Sequence, residues 1–190
     1  MNVDAVILAA GASSRLGTPK QLLQFEGASL LRHAALAASR SRAADVIVLL
    51  GADAPAMMKE LDGLRVRTVE NPLWREGIGS SIRSAVSALG AGCDGVLVML
   101  CDQPRLTSAH LDALIDAFER RPDRPAASVY AGSAGVPALF PRAMFGELLR
   151  LAGDNGAKRL LTSRMENLSL VPWPDGAHDV DTATDVHSHL

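Results

Sequence analysis

The densest group of chemistry-bearing residues lies between Leu8 and Lys20, in the stretch LAAGASSRLGTPK. It places Gly11, Gly17, two serines, Arg15 and Lys20 directly after an apolar run. Backbone N–H groups in such a loop can converge on an anion while Arg15 and Lys20 neutralise it. The spacing is not that of a Walker A loop. Five residues separate the two glycines, where that motif has four, and Lys20 comes three positions later. Nor is it GxGxxG. On composition alone a plain flexible βα loop is an equal alternative. Cation usage favours the anion. The chain has three lysines, Lys20, Lys59 and Lys158, against sixteen arginines, so a lysine directly after Pro19 stands out. A compact ammonium fits between phosphate oxygens as a point charge.

A second group is Leu100-Cys101-Asp102-Gln103-Pro104, which closes another apolar run. An acid at the carboxyl end of a buried parallel strand lies at the edge where α/β sheets bind ligands. A lone carboxylate there suits Mg²⁺, which takes one or two protein oxygens and shares the rest with phosphate and water. The alternative is a turn or helix-capping aspartate. Asp179-Val180-Asp181-Thr182 offers another acid; read by itself, Asp181 is a cap for a terminal helix. Residues 71–81 (NPLWREGIGSS) bring two glycines and two serines to a helix start, which can accept an anion or a base edge. A glycine turn with Ser80 as N-cap reads equally well. Residues 153–159 (GDNGAKR) read as a turn opening a helix, with a solvated Lys-Arg pair.

These groups need a scaffold, and the chain supplies one by alternation. Strands are expected at Val3–Leu8, Asp45–Leu50, Arg65–Glu70 and Gly95–Cys101, with helices at Leu30–Ser39, Pro55–Leu61, Ser80–Leu89 and Thr107–Arg120. Such alternation predicts an α/β domain with a mostly parallel sheet. Farther on, Ala127–Tyr130 and Pro137–Phe140 flank a hairpin or loop. Helices follow at Pro141–Leu151, Gly156–Ser163 and Thr182–Leu190, with a late strand at Leu168–Val171.

Composition narrows the classes of function. With 190 residues, 48% hydrophobic and 21% charged, the chain can bury a core as one domain over 1–190. A net charge of −2 gives no electrostatic footprint for nucleic acid. No apolar run reaches 18 residues, so no membrane span is expected. Asp4 interrupts what would be the apolar core of a signal peptide, so a cytoplasmic protein is expected. Cys93 and Cys101 form neither a disulfide framework nor a CxxC site, and Cys101 reads as a small buried hydrophobe. None of the five histidines stands at zinc spacing, no GxSxG elbow is present, and Trp74 and Trp173 are isolated. The lack of GxGxxG and of a downstream ribose-binding acid argues against an NAD-binding oxidoreductase.

Six segments in order, LAAGASSRLGTPKQLL (8–23), NPLWREGIGSSIRSAV (71–86), LCDQP (100–104), GVPALF (135–140), GDNGAKRLL (153–161) and DVDTATDV (179–186), resemble the MobA-like nucleotidyltransferases. The resemblance spans the chain and is closest to the molybdenum cofactor cytidylyltransferase branch. It implies a Rossmann-like three-layer α/β/α fold of the nucleotidyltransferase type. It implies that Leu8, Ala9, Ala10, Gly11 and Lys20 wrap a nucleoside triphosphate, and that Gly79 and Ser81 help to recognise it. Asp102 and Asp181 would hold Mg²⁺, and Arg15, Lys20 and Asp102 would carry catalysis. Ala10, where guanylyl enzymes of the family have glycine, favours CTP. The acceptor implied is a molybdopterin phosphate, and the partner served is a molybdoenzyme or its chaperone. Val136 departs from the family pattern, since many cytidylyl members carry histidine before this proline. Rival expectations are the same chemistry on another acceptor, guanylyl transfer to the same pterin, or a non-catalytic cofactor carrier.

Overall fold

The computed structural model describes residues 1–12 and 18–177. β1 (Val3–Leu8) is buried along its whole length, which is why its sequence is apolar at nearly every position. After the long loop, β2 (Gln24–Phe25) and β3 (Ala28–Ser29) form a small antiparallel hairpin. Ser29 then caps α1 (Leu30–Ser39), its Oγ accepting from the Arg32 N–H. β4 (Asp45–Leu50), α2 (Ala54–Glu60), β5 (Arg67–Glu70), α3 (Ile78–Ser87) and β6 (Gly95–Leu100) continue the alternation. Thr107 caps α4 (Ser108–Arg120) by accepting from the His110 N–H. β7 (Ala126–Tyr130), β8 (Ser133–Pro141), α5 (Phe145–Leu148), α6 (Ala157–Thr162) and β9 (Ser169–Pro172) complete the described elements.

The large sheet runs β5-β4-β1-β6-β8-β7-β9. Among the described residues four of its six pairings are parallel, and β8 is the strand that runs against both its neighbours. Alternate side chains of β1 go to opposite layers. Val3, Ala5 and Ile7 pack with α1, α2 and α4, while Val6 and Leu8 pack with α3, α5 and α6. The result is the expected three-layer α/β/α arrangement with a mostly parallel sheet. No helix among the described residues is long and apolar enough to cross a membrane.

Two expectations change. Residues 141–151 were expected as one helix with proline in its first turn. Pro141 instead ends β8, a 3-10 turn covers Arg142–Met144, and only Phe145–Leu148 is α-helical. The strand expected at Pro137–Phe140 begins earlier, at Ser133, because, of the two alternatives for this connection, the structure has the hairpin, with a tight turn at Ala131-Gly132. The terminal helix expected at Thr182–Leu190 lies outside the described residues.

Candidate functional site

Strand register brings two of the predicted groups together. Leu8 of β1 is paired with Leu100 of β6. Ala10 and Asp102 therefore each stand two residues beyond the same edge of the sheet. Leu8, Ala9 and Ala10 are buried, and Gly11 is exposed. The start of the loop keeps pairing with the end of β4 and the chain just beyond it: Ala9 N–H donates to the Leu49 carbonyl at 2.9 Å and Ala52 N–H to the Ala10 carbonyl at 3.1 Å. Residues 13–17, Arg15 among them, lie outside the described residues.

The returning limb of the loop is fixed by a residue the sequence reading passed over. Gln21, in the 3-10 turn Lys20–Leu22, is buried, and its Nε2 donates to the carbonyls of Ala9 at 3.0 Å and Gly11 at 2.7 Å. That clamp sets Lys20 across from the end of β6, where its Nζ donates to Asp102 Oδ2 at 2.5 Å. The Lys20 side chain is 26% exposed and that of Asp102 10%. The other carboxylate oxygen, Asp102 Oδ1, is buried and has no hydrogen-bond partner. An unsatisfied buried acceptor is costly unless something fills it. A hard divalent cation matches an oxygen of this kind. Among the described residues no group of three or more His, Cys, Asp or Glu is gathered anywhere. A carboxylate with one oxygen left over is the kind of group Mg²⁺ takes beside phosphate and water. The second expected ligand, Asp181, lies outside the described residues.

The neighbouring thiol is inert. Burial, followed by the charge of Asp102, pushes Cys101 up to about 12 from its ordinary 9.0, so it stays protonated. Burial likewise raises Cys93 to about 11.

Segment 71–81 reaches the same edge through Trp74. A Cβ placed on Gly51 would lie 2.6 Å from the Ala10 carbonyl oxygen and 2.8 Å from Trp74 Cγ, so the indole leans over the sheet edge beside Ala10. Arg75 covers the ring at 4.3 Å. The N-cap of α3 is Gly77, so of the alternative reading the glycine turn is present but Ser80 is not the cap. Ser80 Oγ lies 2.8 Å from the carbonyls of both Leu73 and Gly77, which share its one proton. Asn71, buried at the end of β5, organises the turn: its Nδ2 donates to Ser80 Oγ at 2.9 Å and Ser81 Oγ at 3.1 Å. Ser81 and Gly79 are buried, and their contacts hold the segment together. Gly79 N–H donates to the Gly153 carbonyl at 3.0 Å. Gly77 has φ +98°, and a Cβ there would come within 2.5 Å of the Gly153 carbonyl group. The GDNG turn is thus the packing partner of the glycine-serine turn. The structure brings Leu8, Ala9, Ala10, Gly11, Lys20 and Asp102 to one edge, with Gly79 and Ser81 in the adjoining segment.

A family model described as MobA-like NTP transferase domain matches residues 5–168. The nicotine blue oxidoreductase of Paenarthrobacter nicotinovorans is 30% identical, over 99% of this chain and 96% of its own. The purine catabolism protein PucB of Bacillus subtilis is 33% identical, over 83% of this chain and 80% of its own. The crystal structure of Rv0371c from Mycobacterium tuberculosis is 33% identical and superposes with a TM-score of 0.83, covering 99% of this chain and 97% of that one. A structure of the same protein in complex with manganese gives 31% identity and a TM-score of 0.80, over 100% and 98% of the two chains.

Proposed function

The chain belongs to the MobA-like NTP transferase family, and we propose that it transfers CMP from CTP to the terminal phosphate of molybdopterin, releasing pyrophosphate. Nucleotidyltransferase chemistry comes with the family. One observation supports nucleotidyl transfer at this edge most. An ammonium and a carboxylate meet at 2.5 Å at the sheet edge beside a glycine loop, and the carboxylate keeps one buried oxygen without a partner. A phosphate-binding cation next to a cation-binding acid is what a metal–triphosphate complex requires.

In this reading the whole chain works as one domain. Leu8, Ala9, Ala10 and Gly11 line the triphosphate and base, with Gly79 and Ser81 behind the adjoining turn. The methyl group of Ala10 narrows the space for the base, which suits a pyrimidine. Asp102 and Asp181 hold Mg²⁺, and the manganese complex of the M. tuberculosis relative supports a divalent ion in this family. When bound, the ion supplies neutralising charge to the triphosphate. A phosphate monoester is already an anion near neutral pH, so no strong general base is needed. Lys20 and Arg15 stabilise the charge that accumulates as the α–β bridge breaks. Catalysis is then positioning plus electrostatics. The product would pass to a molybdoenzyme or its chaperone in the cytoplasm.

The test is pyrophosphate release from the purified protein with Mg²⁺, each NTP in turn and molybdenum-loaded molybdopterin. Turnover is expected with CTP and to exceed that with GTP. Equal or faster turnover with GTP overturns the base assignment, and no pyrophosphate with any NTP overturns the acceptor. A second reading, hydride transfer, rests on the name of the Paenarthrobacter relative. Oxidation of NADH or NADPH with nicotine blue as acceptor, without pyrophosphate release, would favour it.

A further inference from the structure

Gln103 directly follows Asp102 and is as deeply buried. Its backbone carbonyl closes the turn after β6 by accepting from Leu106 N–H at 3.1 Å. Its side-chain Nε2 reaches across to the other half of the sheet. It donates to the Val136 carbonyl at 3.2 Å and to Tyr130 Oη at 3.3 Å. Tyr130 Oη itself donates to the same Val136 carbonyl at 3.0 Å. The other end of the Gln103 amide, Oε1, is buried with no hydrogen-bond partner.

The partners of Gln103 are themselves held. Tyr130 meets Trp173 edge-on at 5.7 Å, and Trp173 stacks on His110 at 4.7 Å. Ser128 Oγ donates to the Pro137 carbonyl at 2.7 Å. Having used its one proton there, it accepts from His110 Nε2 at 2.8 Å, which fixes the imidazole as the Nε2–H tautomer. Two successive carbonyls, of Val136 and Pro137, are therefore pinned by side chains. The only link from this pinned segment to the Asp102 turn among these bonds is the Gln103 amide.

A residue kept only to fill this space would be better as an apolar side chain, because half of the glutamine amide is left unsatisfied. The retained polarity is explained if direction matters. We propose that Gln103 is a positioning residue: its amide ties the Asp102 turn to the pinned Val136 carbonyl and so fixes the aim of the Asp102 carboxylate. This inference rests on the reading of Asp102 as a metal ligand. Groups one step removed from a metal ligand commonly change affinity or activity by about 10–100-fold when lost.

The experiment uses Gln103→Met, which keeps the length of the side chain and removes both polar ends. Mn²⁺ affinity in the presence of CTP is read by electron paramagnetic resonance, beside the melting temperature. Affinity is expected to fall roughly tenfold while the melting temperature stays close to wild type, since the unsatisfied Oε1 leaves with the two hydrogen bonds. Unchanged affinity in a folded Gln103→Met overturns the proposal, as does a loss that merely parallels a fall in melting temperature. Should that variant fail to fold, Tyr130→Phe removes the hydroxyl that shares the Val136 carbonyl but keeps the ring against Trp173. It should weaken Mn²⁺ binding in the same direction by about twofold or more, and an unchanged affinity again overturns the proposal. Asp102→Asn keeps the two readings apart. If it leaves Mn²⁺ affinity intact, the metal reading itself falls. If it abolishes binding and Gln103→Met does not weaken it, only the role of Gln103 falls.

Discussion

Lys20 and Asp102 share one short contact, and each has a different proposed ligand, the triphosphate for one and the metal for the other. Lys20 holds Oδ2 while the cation is assigned to Oδ1, so the two draw on one carboxylate charge, and engagement of a metal–nucleotide complex should trade part of this pair's attraction for two new ones. Truncating Lys20 to alanine exposes both halves of that trade. With divalent ions chelated, Lys20→Ala should lose about 1–3 kcal/mol, below the roughly 3–5 kcal/mol of a fully buried pair because Lys20 is partly solvated. Millimolar Mg²⁺ should restore more stability to Lys20→Ala than it adds to wild type in paired thermal melts. Equal responses would show that Asp102 takes no cation. In turnover, the same variant should fall by about 10²–10³ in kcat, with a smaller change in KM for CTP, because the charge it meets grows in the transition state. Single-turnover rates at saturating CTP check this, and an unchanged rate constant leaves Lys20 as a binding group only. Lys20 was legible in the sequence because lysine is rare in this chain and stands in a glycine loop. Gln21, Asn71 and Gln103 were not. An amide carries no periodic signal, and what each one grips lies in another strand, in the helix that follows or on the far limb of a loop.

Among the elements, those buried on both faces were the easiest to read. VDAVIL and DVIVLL form strands over the limits their apolar runs suggest, and LLRHAALAAS forms α1 because its apolar residues recur on one side. Proline misled at position 141, since it suits the first turn of a helix and the end of a strand equally. The close fit between the 77–79 and 153–154 turns could not be read either, because nothing in one glycine segment names the other as its partner. That fit makes a sharp prediction. Gly77→Ala would force a side chain into a positive-φ position with a carbonyl group 2.5 Å away. It should cost at least about 2 kcal/mol, roughly 4 °C or more in Tm, and raise KM for CTP as α3 shifts. Gly146→Ala is the control. Its Cβ would meet nothing within 4 Å, and it lies inside α5, so alanine there should leave Tm unchanged or raise it. Equal effects of the two substitutions would show that the turn contact is not needed.

For the molecule as a whole, two buried titratable groups, His110 on α4 and Asp4 on β1, oppose each other in acid. Burial lowers His110 to about 4 from its ordinary 6.5. The unfolded chain then takes up a proton between those values that the folded one refuses. Stability is full above about pH 6.5 and falls as the pH drops toward 4, by up to about 3 kcal/mol from this group. His110→Gln, which can still donate to Ser128, should flatten that part of the stability–pH curve; an unchanged slope in urea titrations from pH 7 to 4.5 would remove His110 as its source. Asp4 works the other way. It is buried on β1, and desolvation raises it above its ordinary 3.8, against the lowering effect of the Cys93 thiol and the Gly90 backbone. A carboxyl raised in the folded state is penalised while charged, so its contribution improves as the pH falls through its folded value. Asparagine can keep an acceptor oxygen in the same place without the charge. Asp4→Asn should therefore melt higher than wild type at pH 7, with the advantage shrinking toward pH 3, where the wild-type carboxyl is protonated too. A variant that melts lower at pH 7, or whose advantage does not depend on pH, would show that the Asp4 charge is compensated in the fold rather than tolerated by it.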